Sequence, residues 1–184
     1  MHPRLRLTIS LAAAAAVGFA LAAVVRAQSH ARALDDPTIV AIFDEANTAD
    51  IETSGLAASK TSQADIKELA RTFVHDHTAV RQQGRDLAKK LGVTPTPPKP
   101  DQGAMDHAAA MKKLRALKGE AFDRAYLAHE VAYHQAVIDA ITKTLVPAIQ
   151  NAELKAFVLQ VAPAFQGHLA AAQKLAQKYG ATGQ

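Results

Sequence analysis

Apolar positions recur at alternating spacings of four and three along most of this chain, and the recurrence breaks only at clusters of Pro, Gly and Ser. The first recurrence, Ile39, Phe43, Ala46, Asp50, Thr53 and Ala57, predicts a helix from about Pro37 to Ser59. Asp36-Pro37 reads as its N-cap followed by proline in the first turn, and Thr61-Ser62 as the turn after it, with Ser62 capping the next helix. The second recurrence is Ile66, Leu69, Phe73, His77, Val80, Gly84, Leu87 and Leu91, a helix from about Gln63 that stops at Gly92. Pro95, Pro97, Pro98 and Pro100 exclude a helix or a central strand in the segment that follows. It reads as an extended crossover leading to a short helical piece from Met105 to Leu117. A third long helix, from about Glu120 to Leu145, carries Asp123, Leu127, Glu130, His134, Val137 and Ile141 on one stripe, with Phe122, Tyr126, His129 and Tyr133 beside it. The fourth, from about Ala152 to Tyr179, carries Leu154, Phe157, Val161, Phe165, His168, Ala172, Leu175 and Tyr179, with a kink expected at Pro163.

No segment alternates with the period of a strand, so the fold class is all-α. Two short connections and one long one arrange the helices as two antiparallel hairpins joined by a long Pro-rich crossover. That is the connectivity of a ferritin-like four-helix bundle. The domain spans about residues 37–180, after a polar linker at 28–36.

Each apolar stripe is interrupted by groups that titrate. The first helix contributes Asp50. The second contributes His77, with Asp76 beside it; the third Asp123, Glu130 and His134; the fourth His168. Glu130 and His134 are four apart and share a face. His134 precedes the second hairpin turn by about as much as His168 follows it, so the two rings fall at similar height, and His77 is also at mid-helix. Unpartnered burial of such groups is costly. They therefore pair with one another, line a wet cavity, or bind a metal; neutral imidazole and carboxylate suit zinc, iron or copper. A di-iron carboxylate site wants Glu-x-x-His on two helices, whereas this chain has Glu-x-x-x-His. His75 falls off the inward face, and His30 and His107 belong to no constellation. The competing reading makes the inward histidines and acids a polar core that fixes helix packing and binds nothing.

The N-terminus changes where the domain is expected to act. Arg4 and Arg6 precede an uncharged apolar run from Leu7 to Val25, and Val25-Arg26-Ala27 has small residues at the positions a signal peptidase reads. Residues 1–27 are therefore read as a signal peptide and the domain as exported, to the periplasm in a Gram-negative cell. The run falls just short of the ~20 residues of a spanning helix, so an uncleaved N-terminal anchor is the alternative. Cleavage removes three arginines and no acid, which cuts the formal charge of +4 by three and leaves no footprint for nucleic acid. The chain has no cysteine, which excludes disulfides, thiolate catalysis and iron–sulfur clusters. With six Phe, three Tyr and no Trp, its core is built from aliphatic side chains. Neither a nucleophile elbow nor a phosphate-cradling glycine loop is present.

Four segments together resemble a bacterial family, the domain-of-unknown-function family numbered 4142, over about Thr38 to Tyr179. They are Ile66-Lys67-Glu68-Leu69-Ala70 leading to Asp76-His77; Gly119-Glu120-Ala121-Phe122-Asp123-Arg124-Ala125-Tyr126; Val131-Ala132-Tyr133-His134; and Pro163 followed by His168-Leu169. The resemblance implies a ferritin-like helical fold and an export route, and no biochemical activity. The family usually has Glu where Asp50 aligns, and Met or Gln in place of Glu130. From the residues and the resemblance together, the expected function is a periplasmic bundle that binds a metal ion or small ligand between its helices, in envelope stress or metal handling. A structural or interaction module is the alternative, and a metal-dependent oxidoreductase ranks third.

Overall fold

The computed structural model describes residues 34–181; the expected signal peptide and most of the linker lie outside that range. Helix α1 is Asp36–Lys60, α2 Ala64–Lys90, α3 Gln102–Ala116 and α4 Gly119–Ala140. A π-helical segment, Ile141–Leu145, and a short turn, α5 (Val146–Ala148), lead to α6 (Ala152–Lys178). Among the described residues there is no strand, and no helix is long and apolar enough to cross a membrane.

Local chemistry sets the helix ends. The N-cap of α1 is Asp35, one residue earlier than the sequence suggests: its carboxylate accepts the Thr38 amide at 3.0 Å. Asp36 is thereby free for a second task. Its two carboxylate oxygens accept the amides of Gln150 and Asn151, at 2.9 and 2.8 Å, and tie the start of α1 to the entry of α6. Ser62 does not cap α2; the N-cap is Gln63, whose own amide is held by Thr61 Oγ1 at 3.1 Å. Asn151 caps α6 through the amides of Glu153 and Leu154. The π segment comes immediately before Pro147, where a missing N–H and a bulky ring disfavour a regular α turn; the Val146 amide reaches back five residues to the Ile141 carbonyl. Pro163 stands inside α6, and Leu159, four residues back, is exposed, so the backbone bond that Pro163 cannot make faces water.

The four long helices pack as a ring in which each touches two others: α1 on α2, α2 on α6, α6 on α4, and α4 on α1. Ion pairs at the ends fix the directions. Lys90 meets Glu153 at one end of the α2–α6 pair, and Lys178 meets Asp65 at the other, 2.6 Å apart. Helix α3 carries the chain back along α1. Gly103 lies against Glu45, and at the far end Lys60 Nζ donates to the carbonyls of Leu114 and Arg115, at 3.0 and 2.7 Å. The short helical piece expected inside the crossover is thus a full four-turn helix packed on α1 and α4.

The interior is layered along the helix axes. At one end Ile39, Val40, Phe43, Ala88, Ile141, Leu145, Leu154, Val158, Val161 and Phe165 form an apolar cluster. Gly84 belongs to this end; a Cβ there would sit 3.0 Å from the Phe43 ring, so the glycine lets that ring approach α2. At the other end Ala57, Ile66, Ala70, Leu114, Phe122, Tyr126, Leu127 and Ala176 form a second cluster. Between the two clusters lie the buried polar residues Asn47, Asp50, Thr53, Ser54, His77, Glu130, His134 and His168.

Candidate metal centre

Each side chain of the middle layer comes from mid-helix: Asn47 to Ser54 from α1, His77 from α2, Glu130 and His134 from α4, and His168 from α6. Phe73 lies against His168 and His134, with ring centres 4.4 and 5.0 Å apart, and Phe165 meets His77 edge-on at 5.3 Å. These aromatic walls exclude water. A notch between α2 and α6, lined by Asp76, His77, Val80, Ala164, Phe165 and His168, has a volume of about 10 Å³. That is roughly one probe sphere, the smallest space that admits a water.

Three imidazoles meet in this layer. One ring nitrogen from each of His77, His134 and His168 lies within 4.8 Å of the other two. The tautomers follow from the partners of the outer nitrogens. Asn47 Nδ2 donates to the Phe43 carbonyl at 2.7 Å, which leaves Asn47 Oδ1 to accept from His77 Nδ1 at 2.9 Å. His134 Nδ1 donates to the Glu130 carbonyl at 3.0 Å. His168 Nε2 faces the Asp76 carboxylate at 3.1 Å. In neutral rings those three bonds use the only N–H of each. The remaining nitrogens, His77 Nε2, His134 Nε2 and His168 Nδ1, then carry lone pairs, and they point inward. His77 Nε2 and His168 Nδ1 are 3.2 Å apart. His134 Nε2 has no hydrogen-bond partner at all.

Asp50 completes the constellation. It is fully buried; Ser54 Oγ donates to its Oδ1 at 3.2 Å, and its unpartnered Oδ2 is 3.5 Å from both His77 Nε2 and His134 Nε2. The same Ser54 hydroxyl lies 2.9 Å from Tyr126 OH, which ties the first shell to α4. Glu130 is equally buried. Thr53 Oγ1 donates to its Oε1 at 3.2 Å, and its unpartnered Oε2 is 3.5 Å from His134 Nδ1, on the outer edge of that ring.

Burial dominates the electrostatics. It pushes the His77 imidazole down to about 3, helped by the neighbouring His134 and His168, and pushes His134 down to about 4 against the pull of the Glu130 carbonyl. It drives the Asp50 and Glu130 carboxyls the other way, well above the usual carboxylate range. Asp76 differs because it is partly exposed: the His75 and His168 hydrogen bonds outweigh its modest burial and hold it low. The His77 and His134 rings are therefore neutral near pH 7.

Of the seven residues singled out from sequence, Asp50, His77, Glu130, His134 and His168 lie in this layer, and Asp76 touches it from the surface. Asp123 stands apart. It is two turns before Glu130 on α4, buried beside a recess with Gln63, Arg124, Lys178 and Tyr179, and it contacts none of the histidines. Glu52 is half-exposed and bonds His107 on α3 at 2.8 Å, outside the layer. Asn47 was missed by the stripe, which passes through Ala46. It stands four residues after Phe43 and three before Asp50, a spacing that puts it on their face and was the sequence signal for it.

No curated protein and no solved structure matches this chain. The sequence profile of Domain of unknown function (DUF4142) matches residues 22–175, most of the chain's length. The chain is a member of the DUF4142 family.

Proposed function

We propose that this protein is an exported, ferritin-like four-helix bundle that binds a transition-metal ion between its helices, through His77, His134 and His168 with Asp50, and serves in metal handling within the cell envelope. The observation that carries the reading is the inward convergence of three imidazole lone pairs whose outer N–H groups are already committed, to Asn47, the Glu130 carbonyl and Asp76. Metal-binding histidines are oriented in the same way, by a hydrogen bond from the nitrogen that does not ligate. Two lone pairs 3.2 Å apart repel one another, and a buried Nε2 without a partner costs about 1–3 kcal/mol; a shared cation relieves both. The ring of four helices with a long crossover supports the ferritin-like description. The layer also brings the Asp50 and Glu130 carboxylates within 4.8 Å of His134, but the chain has no Glu-x-x-His, the motif a di-iron carboxylate centre requires.

A second reading draws on the His168–Asp76 contact. An imidazolium at His168 donates to Asp76 and to His77 Nε2 together, and so satisfies that pair without a metal, as part of a polar core. It leaves His134 Nε2 and Asp50 Oδ2 unpartnered, and the metal reading ranks above it for that reason. Elemental analysis of protein purified from its native compartment separates the two. A transition metal near one equivalent, lost in His134→Ala, supports the first reading; metal-free protein that takes up none on incubation sinks it.

A further inference from the structure

Helix α2 ends on Gly92, whose φ of +67° turns the chain back, and the Val93 amide closes the end by donating to the Ala88 carbonyl at 2.9 Å. Thr96 then donates its amide to the Pro37 carbonyl at 3.0 Å, which carries the segment across to the start of α1. Residues 93–95 of this segment form one wall of a cleft between α1, α2 and α6, with a volume of about 410 Å³. That lies within the size range of small-molecule sites. None of the histidines or acids of the polar layer lines it, so it is separate from the candidate metal centre.

The floor of the cleft is apolar. Phe43 and Phe157 stand edge to face with ring centres 5.5 Å apart, and Gly84 lies against both. A Cβ at Gly84 would come within 3.0 Å of the Phe43 ring and 3.5 Å of the Phe157 ring. Leu154, Ala88 and Val93 continue the apolar wall.

The rim is basic. Arg81, Arg85 and Lys89 follow one another at four-residue spacing on α2, and all three line the cleft. Asp44 on α1 is the one acid among the lining residues, and it is already engaged: both of its oxygens accept from the Arg85 guanidinium, with Nη2–Oδ2 at 2.9 Å. Arg81 donates to the neutral Thr48 hydroxyl at 3.1 Å, and among the described residues neither Arg81 nor Lys89 pairs with an acid. Two cations are therefore left over at the edge of an apolar recess. Their complement is a molecule with one anionic end and an apolar body. A bilayer would need apolar groups that protrude beyond the cations, to reach past its headgroups. Here the apolar surface is recessed behind them, which suits a single free amphiphile. Arg85 shows that a carboxylate fits a guanidinium at this rim, and Arg81 offers a second one a helical turn away.

We propose that this cleft binds a free long-chain fatty acid, with its chain on the Phe43–Phe157 floor and its carboxylate at the Arg81–Lys89 rim.

Titration of the full-length protein with the fluorescent fatty acid cis-parinaric acid tests this. The expected result is one saturable equivalent, the same with and without chelator, displaced by palmitate. Methyl palmitate and hexadecyltrimethylammonium, which lack the anion, should compete about tenfold or more weakly. The paired reversal Arg81→Glu with Lys89→Glu should weaken binding by about tenfold or more and leave the melting temperature near that of the parent. Thr94→Trp places a ring at the exposed mouth and should weaken binding with the rim charges intact. Equal competition by the ester, unaltered affinity in either variant, or uptake of many equivalents without saturation would each overturn the proposal. So would binding to vesicles of anionic phospholipid with no binding of the free acid, which would make the face a membrane contact. A dimer that excludes the probe would assign the cleft to a second copy of the chain and overturn it as well.

Discussion

The two apolar clusters at the ends of the bundle and the polar layer between them are equally buried, yet they are built on opposite terms. At the ends, Ile39, Ile66, Phe122 and Leu127 are fully enclosed, and every atom removed from water contributes to stability. In the middle, Asp50, Glu130 and His134 are just as enclosed, but each keeps a polar atom without a partner. Enclosing those atoms lowers the stability of the metal-free chain. The ends hold the helices in register. The middle uses that register to bring His77, His134 and His168 together, and Asp50 and Glu130 to His134, at a cost that the metal ion proposed above would offset.

Paired truncations break this comparison most sharply. Phe122→Ala empties space in a packed apolar layer and is expected to cost about 3–5 kcal/mol, with or without metal. His134→Ala also leaves a cavity, but it removes an unpartnered nitrogen at the same time, so the metal-free protein should lose only about 1–2 kcal/mol. Metal retention after gel filtration should vanish in His134→Ala and survive in Phe122→Ala under native conditions. Urea denaturation of both variants, with and without chelator, measures the contrast. Equal costs in the metal-free state would mean that the layer is ordinary core.

Proton linkage sharpens the same contrast, with effects on the order of 2 kcal/mol. His77 and His134 are held at about 3 and about 4 by burial, against an ordinary value of 6.5. Below that value the unfolded chain binds more protons than the folded one. The two rings therefore contribute stability that is complete above about pH 6.5 and is lost as pH falls through 4 towards 3. Asp50 runs the other way. Burial raises it from 3.8 to about 7, so its contribution is complete below pH 3.8 and is lost as pH rises through 7. Metal-free Asp50→Asn should accordingly be more stable than the parent at pH 8 and gain no such advantage at pH 3.5. His77→Gln should flatten the acid limb between pH 6.5 and 3. Melting curves across this range in the presence of chelator report both; Asp50→Asn with no advantage over the parent at pH 8, or His77→Gln with an unaltered acid limb, would contradict the assigned burial.

The same division explains what could be read from the chain. The helices were legible because the apolar ends impose a 3.6-residue period, and their bounds agree to within a few residues. The histidines were legible because each replaces an apolar residue on that period, as His77 does between Phe73 and Val80. The partners of the histidines were not. The stripe was drawn through Ala46 in place of its neighbour Asn47, which suits the same face and is the buried one of the two, and the bond that orients His134 ends on a backbone carbonyl, which has no sequence signature. Asp123 misled for the opposite reason: it falls on the stripe of α4, yet its height along the helix places it about three turns from the His134 ring. Periodicity gives the face of a helix and leaves the height to tertiary packing. The cap at Asp35 rather than Asp36, and at Gln63 rather than Ser62, depended on side-chain directions that a one-residue shift reverses.

The smallest expected effect tests whether the polar layer needs slack in its backbone. Gly167 precedes His168 inside α6, is exposed, and has open space where a Cβ would go. Glycine inside a helix costs about 0.5–1 kcal/mol relative to alanine, through the freedom it retains in the unfolded chain. Gly167→Ala is therefore expected to raise stability by about that much, in apo and metal-loaded protein alike, and to leave the metal stoichiometry at its parental value. The notch at His168 gives the substitution a second readout. If an ion enters between α2 and α6, stiffening α6 there should slow loading of the metal-free protein while leaving its affinity unchanged, as followed by stopped-flow cobalt absorption. A gain in stability with unaltered loading would place the entry route elsewhere. A loss of stability would mean that α6 departs from regular helix at Gly167, and that the alignment of His168 depends on that departure.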